Sequence, residues 1–188
     1  ATSNGINCID YKTKKITRFY PKSINKECTT NIINRLLKHS DGNVYAFCNR
    51  SVFKCSMNQT VETVFPDIAI PSPTYSVAQA PDKDIYIGTE SNGLYIYSEN
   101  WKLKKHVPID GIIATILPDN NGDIWLGLDE TGICLFNKNK QTFTWLHKDN
   151  TNLNNNSIRT FVSYGDSSIL VGTFRGLNIL NKKELTIT

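Results

Sequence analysis

The sequence predicts an all-β protein built from repeated four-stranded antiparallel units, and three observations support this fold class. A five-residue apolar phrase starts at residues 44, 85, 124 and 169, at intervals of 41, 39 and 45 residues. In the last three copies a short polar turn and a glycine-led apolar stretch follow the phrase. No segment longer than about ten residues has helical periodicity. Because one propeller blade spans about 40 to 50 residues, the predicted fold is a β-propeller.

Each unit is predicted to contain four strands joined by short turns. The second strand covers residues 44–48, 85–89, 124–128 and 169–173, and the fourth covers 16–20, 61–65, 103–107 and 143–147. Asp, Asn and Gly, which suit tight hairpin turns, separate the first strand from the second. The second strand is apolar almost without alternation, which indicates that neighbouring units cover both of its faces.

The strand pattern divides the chain into four four-stranded blades and a partial N-terminal blade. The predicted ranges are 1–20 for the last two strands of the partial blade, then 31–66, 74–108, 112–148 and 157–188. Both ends fall inside predicted strands. Residues 1–188 are therefore expected to be a partial propeller from a longer chain, unable to close by itself.

Composition places the chain among soluble globular proteins. It has 188 residues, a net charge of +4 and 39% apolar residues. Its apolar runs are far shorter than the roughly 20 residues that a membrane span needs, and no signal peptide is recognisable at the N-terminus. The five cysteines form no CxxC pair. We expect packed thiols, with a Cys48–Cys55 bridge across one hairpin as the alternative.

Several residue types that could carry function have a structural explanation. Trp125 and Trp145 occupy strand positions that predict packing, whereas Trp101, near a turn, could pack against the neighbouring blade or face a partner. The three histidines occupy non-equivalent positions, so neither a metal site nor a cofactor is predicted. Lysines gather at the turns between third and fourth strands, where protection of the outer edge is favoured over nucleic-acid binding.

The best-preserved unit resembles a known family repeat. It contains Asn121-Gly122-Asp123-Ile124-Trp125-Leu126-Gly127, then Gly132, Phe143-Thr144-Trp145 and an Asn-rich linker. This pattern resembles the two-component regulator propeller repeat. The resemblance is strong from residue 74 onward and weaker between 20 and 66, where Phe47 and Cys48 replace the usual Gly-Thr.

The resemblance implies a location and a role. In that family, such repeats form the periplasmic sensor region of hybrid two-component proteins, which combine a histidine kinase and a response regulator, in polysaccharide-degrading gut bacteria of the Bacteroides type. It implies a seven-bladed parent propeller, a parent protein anchored in the inner membrane, a homodimer and an oligosaccharide ligand. The segment itself is expected to be non-catalytic.

Candidate ligand-binding residues lie on the predicted upper face, which we define as the turns between second and third strands together with the linkers between blades. They are Arg50, Glu90, Asn92, Asp129, Glu130, Asn154, Phe174 and Arg175. Amides and charges suit hydroxyl-rich sugars, although the same residues could be ordinary solvated turns. Two alternatives remain open: a polysaccharide hydrolase or lyase using paired acids of this face, and a purely structural or dimerising propeller.

Overall fold

A computed structural model describes residues 2–24, 30–49, 51–56, 61–64, 70 and 72–188, with only the backbone at 63 and 64. Within these residues, the chain forms five antiparallel sheets and one four-residue helix. The first strands of blades 2 to 5 lie against one another in sequence. This arrangement confirms the predicted propeller fold, and we number the sheets as blades 1 to 5.

The strands follow the chain in simple meander order. Blade 1 contains β1 (Ile6–Ile9) and β2 (Ile16–Phe19), followed by α1 (Pro21–Ile24). Blade 2 contains β3 (Arg35–Lys38), β4 (Val44–Cys48), β5 (Ser51–Cys55) and β6 (Val61–Val64). Blade 3 contains β7 (Thr74–Gln79), β8 (Ile85–Thr89), β9 (Leu94–Tyr97) and β10 (Leu103–Val107). Blade 4 contains β11 (Ile113–Pro118), β12 (Asp123–Leu128), β13 (Gly132–Asn137) and β14 (Thr142–Leu146). Blade 5 contains β15 (Ile158–Tyr164), β16 (Ser168–Thr173) and β17 (Gly176–Asn181).

Blade 5 differs from blades 2 to 4 in its outermost element. Where the sequence predicts a fourth strand, the structure has a single bridge between Leu180 and Ile187. The backbones of Ile179 and Thr188 exchange two hydrogen bonds of 2.7 and 3.0 Å beside it. Leu185 has a φ of 56°, so the turn extends to this residue.

The hydrophobic core is divided among the junctions between blades. Four clusters of buried side chains lie at the junctions of blades 1 and 2, 2 and 3, 3 and 4, and 4 and 5. Alternate residues of one strand belong to different clusters: Ile85 and Ile87 pack toward blade 2, whereas Tyr86 packs toward blade 4. All five residues of β8 are buried. The second strands of blades 2 to 4 are therefore covered on both faces, as their apolar sequences predict, whereas in β16 of blade 5 only Ile169 and Val171 are buried.

The glycine of the repeated phrase is required by the next blade. A Cβ on Gly127 would lie 2.5 Å from Cγ2 of Ile158 in blade 5, and one on Gly88 would lie 2.6 Å from Cγ2 of Ile113 in blade 4. Such distances are shorter than real carbon contacts, so only glycine admits the isoleucine. The phrase thus contains the contact surface for the blade that follows it.

Blade 2 solves the same packing problem with a different pair of residues. Phe47 occupies the glycine position and is fully buried in the junction with blade 3. In blade 3, the smaller Thr74 takes the place that Ile113 has in blade 4 and Ile158 has in blade 5. Each of these three residues pairs with the residue that directly follows the glycine of the phrase in its own blade. A large side chain on one blade is matched by a small one on the next.

The lower face, formed by the turns between first and second and between third and fourth strands, has ion pairs that join blades. Lys138 of blade 4 contacts Asp82 and Asp84 of blade 3, and Lys182 of blade 5 lies 3.0 Å from Asp119 of blade 4. The equivalent residue of blade 3, Glu99, accepts a hydrogen bond of 2.7 Å from Ser40 of blade 2. These lysines therefore contribute to contacts between blades, in addition to any protection of the outer edge.

Two of the three tryptophans are buried and one is not. Trp125 is fully buried, as predicted. Trp101 packs on blade 2, with its ring centroid 4.6 Å from that of Tyr45 and 5.8 Å from that of His39, which confirms packing against the neighbouring blade. Trp145 is 37% exposed, so it is not a core residue, and packing between blades stays a prediction for it. It belongs to the outermost strand β14, most of which is exposed.

The alternative of a Cys48–Cys55 bridge is excluded by strand register. Cys48 lies opposite Ser51 and Cys55 lies opposite Val44, at the two ends of the hairpin. Four residues of strand separate them by ~13 Å, whereas bridged cysteines have Cα atoms within about 7 Å. Cys55 is a free thiol, and burial raises its pKa to about 11.

We expect stability to fall above pH 9 partly because of Cys134. Burial raises the pKa of this thiol from 9.0 to about 12, so the folded protein retains a proton that the unfolded chain releases. The contribution of this thiol to the free energy of unfolding is therefore constant below pH 9 and decreases between pH 9 and 12. Urea unfolding at pH 8.0 and 9.8 should show a smaller loss of stability for Cys134→Ala than for the unsubstituted protein. Equal losses in the two proteins would contradict the expectation.

Candidate functional site

The predicted ligand-binding residues lie on the upper face as expected, but in separate turns. They occupy the β8–β9 turn (Glu90, Asn92), the β12–β13 turn (Asp129, Glu130), the linker before β15 (Asn154) and the β16–β17 turn (Phe174, Arg175). Arg50 lies outside the described residues. Asn92 and Asp129 are half-buried and the others are exposed.

Two of these residues hold their own turns in place. Asn92 donates from Nδ2 to the Tyr95 hydroxyl at 3.0 Å, and its main-chain carbonyl lies 2.7 Å from His106 Nε2. Asn154 accepts a 2.7 Å hydrogen bond from the Thr173 hydroxyl at Oδ1. Both side chains therefore have structural partners, in agreement with the alternative that they shape the turns.

Two other predicted residues meet at the junction of blades 4 and 5. Arg159 of β15 lies 3.1 Å from Asp129 Oδ2, and its guanidinium is 5.5 Å from the ring centroid of Phe174. Asp129 Oδ1 is buried and has no partner among the described residues. Phe174 is 72% exposed, as are several other large apolar residues of blade 5, such as Leu177 at 64%. The sequence-based prediction missed Arg159, the residue that joins this group.

A repeated irregularity of the first strand explains the position of Arg159. The pairing of the first and second strands shifts by one residue in blades 3, 4 and 5, between Thr74 and Ser76, Ile113 and Thr115, and Ile158 and Thr160. The extra residues are Tyr75, Ala114 and Arg159. Bulges redirect side chains and are common beside functional sites. The innermost strands thus present one such residue per blade at their upper ends.

A cavity of about 300 Å³ lies at the equivalent place between blades 2 and 3. It is lined by Asn34, Arg35, Thr74 and Tyr75, none of which the sequence-based prediction included. Asn34 Nδ2 donates to the Thr74 carbonyl at 3.1 Å, and the Arg35 guanidinium lies 6.0 Å from the ring centroid of Tyr75. For Asn34 and Arg35, the available signal was the weaker resemblance to the repeat between residues 20 and 66.

A second, larger recess of about 660 Å³ lies on the lower face between blades 4 and 5. Its lining includes the ion pair of Asp119 and Lys182, together with Asn120, Asn121 and Asp166. Among the described residues, no group of three His, Cys, Asp or Glu side chains is placed to hold a metal ion. The described helix is too short to span a membrane.

Comparisons with solved structures find a similar fold in the extracellular domains of bacterial proteins. No family model and no curated protein sequence matches the chain. One similar structure is the extracellular domain of a protein described as a hybrid two-component system from B. thetaiotaomicron, with a TM-score of 0.75, 25% identity, 98% of this chain covered and 25% of that chain. The chain is similar to the extracellular domain of a hybrid two-component system. This likeness confirms the resemblance that the sequence indicates.

Other similar structures agree on the fold. The extracellular domain of a protein described as a one-component system from B. thetaiotaomicron has a TM-score of 0.78 at 19% identity, over 94% of this chain and 25% of that chain. A catalytically inactive virginiamycin B lyase from Staphylococcus aureus has a TM-score of 0.73 at 18% identity, over 99% of this chain and 62% of that chain. The chain spans about a quarter of the two extracellular domains.

Proposed function

We propose that this chain is a segment of the periplasmic sensor region of a hybrid two-component signalling protein that recognises an oligosaccharide and regulates polysaccharide utilisation. The observation that carries the proposal is the similarity to the extracellular domain of such a system, which extends over 98% of the chain. In this role the segment is non-catalytic. The parent protein is anchored in the inner membrane, acts as a homodimer and carries its kinase elsewhere.

The upper face supports recognition of a polar ligand. It combines exposed charges, amides and an exposed aromatic ring, which are the groups that bind sugars through hydrogen bonds and stacking. The arginine that joins Asp129 and Phe174 also connects a turn of blade 4 to the innermost strand of blade 5. A ligand that displaced this arginine would alter the contact between two blades, which suits a sensor.

Calorimetric titration of the intact protein with a panel of neutral and acidic oligosaccharides tests the proposal. We expect saturable binding of at least one class of glycan. The absence of binding across the panel, together with a dimer whose scattering profile no glycan changes, would instead favour a structural propeller.

A lyase is the second candidate, because the virginiamycin B lyase shares the fold over 99% of this chain. In that case the acids of the β12–β13 turn would be the catalytic groups. Asp129→Asn or Glu130→Gln should then abolish product release from a polysaccharide. The salt bridge between Asp129 and Arg159 favours the sensor, because it already occupies one of the two carboxylates.

A further inference from the structure

We propose that the cavity between blades 2 and 3 binds an anionic sugar unit, whose carboxylate or sulfate group is held by Arg35. The inference rests on the proposed function, since it specifies the ligand class of an oligosaccharide sensor. Four observations carry it. They are a local departure from the repeat, a buried hydroxyl without a hydrogen-bond partner among the described residues, an arginine without an acidic partner in the same part of the chain, and an aromatic face beside them.

One departure from the repeat lies at this junction. In blades 4 and 5, the residue directly before the pairing shift is an isoleucine, Ile113 or Ile158. Ile33 takes the same place in blade 2, and all three are buried. Blade 3 has Thr74 there. A small residue is needed here beside Phe47, but valine would also be small, and local departures from a consistent pattern are expected at functional sites. The polar exception therefore coincides with the cavity that Thr74 lines.

The hydroxyl of Thr74 is buried without a partner. The residue is 1% exposed, and Oγ1 has no hydrogen bond among the described residues. By contrast, the other buried hydroxyl of the same strand, that of Ser76, has a partner. It donates to the Ile113 carbonyl at 2.6 Å. Buried polar groups in native proteins are nearly always paired. The residue also lines the cavity, and a ligand oxygen that reached Oγ1 would supply a partner.

Arg35 differs from Arg159 in having no carboxylate beside it. Its Nη1 donates to the Asn34 carbonyl at 2.8 Å, and the described residues provide no acidic partner. Four of the five guanidinium N–H groups are therefore available, and their planar fork matches a carboxylate or a sulfate. An uncompensated arginine at the cavity favours an anionic ligand over a neutral one.

The ring of Tyr75 completes a site for a sugar. It is 37% exposed and lies beside the Arg35 guanidinium. The apolar face of a pyranose can stack on such a ring while the acidic group reaches the arginine. A volume of about 300 Å³ lies at the lower end of ligand pockets, so it suits one or two sugar units.

Calorimetric titration of the intact protein tests the inference with three matched probes. These are the trimer of α-1,4-linked galacturonic acid, its methyl ester, which has the same skeleton without the charge, and galactose 6-sulfate. Oligomers of glucuronic and mannuronic acid extend the carboxylate set. We expect binding of an acidic probe and at least about tenfold weaker binding after Arg35→Ala, because charge-assisted hydrogen bonds are lost. Arg35→Lys should restore part of the affinity, since it keeps the charge without the fork.

Two further variants distinguish binding from structure. Thr74→Val removes only the hydroxyl, so it should weaken binding without lowering thermal stability. Arg18→Ala removes an exposed arginine of the outer strand β2 and should leave the affinity unchanged.

The outcomes separate this inference from the proposed function. Binding of only galactose 6-sulfate, with the same dependence on Arg35, would support the site and identify sulfate as the anion. Binding of a neutral glycan alone, or of an acidic one that Arg35→Ala does not weaken, would overturn the inference and leave the sensor proposal intact. A lack of binding by every glycan, neutral or acidic, would overturn both.

Discussion

Gly127→Ala is expected to lower the free energy of unfolding by about 2–3 kcal/mol, because overpacking of a close-packed core costs on this order. The new methyl group would lie 2.5 Å from Cγ2 of Ile158 and 2.6 Å from Cγ2 of Thr115. Both neighbours are held by their own strands, and Ile158 is fully buried in the junction of blades 4 and 5. Relief of the clash with Ile158 therefore requires the two blades to separate, whereas relief of the clash with Thr115 requires a shift within blade 4.

Urea unfolding of single and double variants measures this effect. Gly127→Ala combined with Ile158→Ala should lose less stability than the sum of the two single changes, because the second substitution removes the clashing atom. Gly172→Ala is the matched control, since this glycine has the same strand position but meets only the side chain of the exposed Thr160. Equal losses for Gly127→Ala and Gly172→Ala would contradict a role for the next blade.

Trp101→Ala is expected to cost about 3–5 kcal/mol, as large-to-small substitutions of buried aromatic side chains do. The indole is only 8% exposed and contacts the rings of His39, Tyr45 and Phe47 across the junction of blades 2 and 3. Its backbone has a φ of 61°, a conformation that is unfavourable for a bulky residue. The alanine variant keeps this backbone strain and loses the packing that offsets it.

Trp145→Ala provides the comparison on the outer strand. This indole is 37% exposed, so its loss should cost about 1 kcal/mol or less, close to the range for surface positions. Chemical denaturation of the two variants at one temperature is sufficient for the test. A loss for Trp145→Ala as large as that for Trp101→Ala would show that exposure does not govern the effect.

The sequence was sufficient to predict the fold, because the residues that repeat are those through which neighbouring blades contact each other. The phrase that ends in Gly127 contains the surface on which Ile158 of the next blade packs. The interval between successive copies of the phrase is therefore the length of chain in one blade. The buried second strands followed from the same pattern, since a strand apolar on both faces needs two neighbours.

The candidate site was predictable only in part. Turn residues such as Asp129 and Phe174 follow from the order of the strands, so their placement on the upper face could be inferred. Arg35 and Arg159 could not be found in this way, because each lies in the first strand of its blade and not in a turn, and the pairing shift that sets the position of Arg159 is not visible in the spacing. The exposure of Trp145 was missed for a related reason: a fourth strand has no further strand of its own blade outside it.

At the junction of blades 2 and 3, Phe47 and Thr74 take the places that a glycine and an isoleucine have at the next two junctions. This difference limits how the order of the blades can change during evolution. Placed against a blade that begins with isoleucine, the phenyl group would have no room, and a threonine opposite a glycine would leave a void. Blades 2 and 3 can therefore be duplicated, deleted or transplanted only as a pair. Recombination within this protein would respect that boundary, and the order of the blades would be fixed by shape.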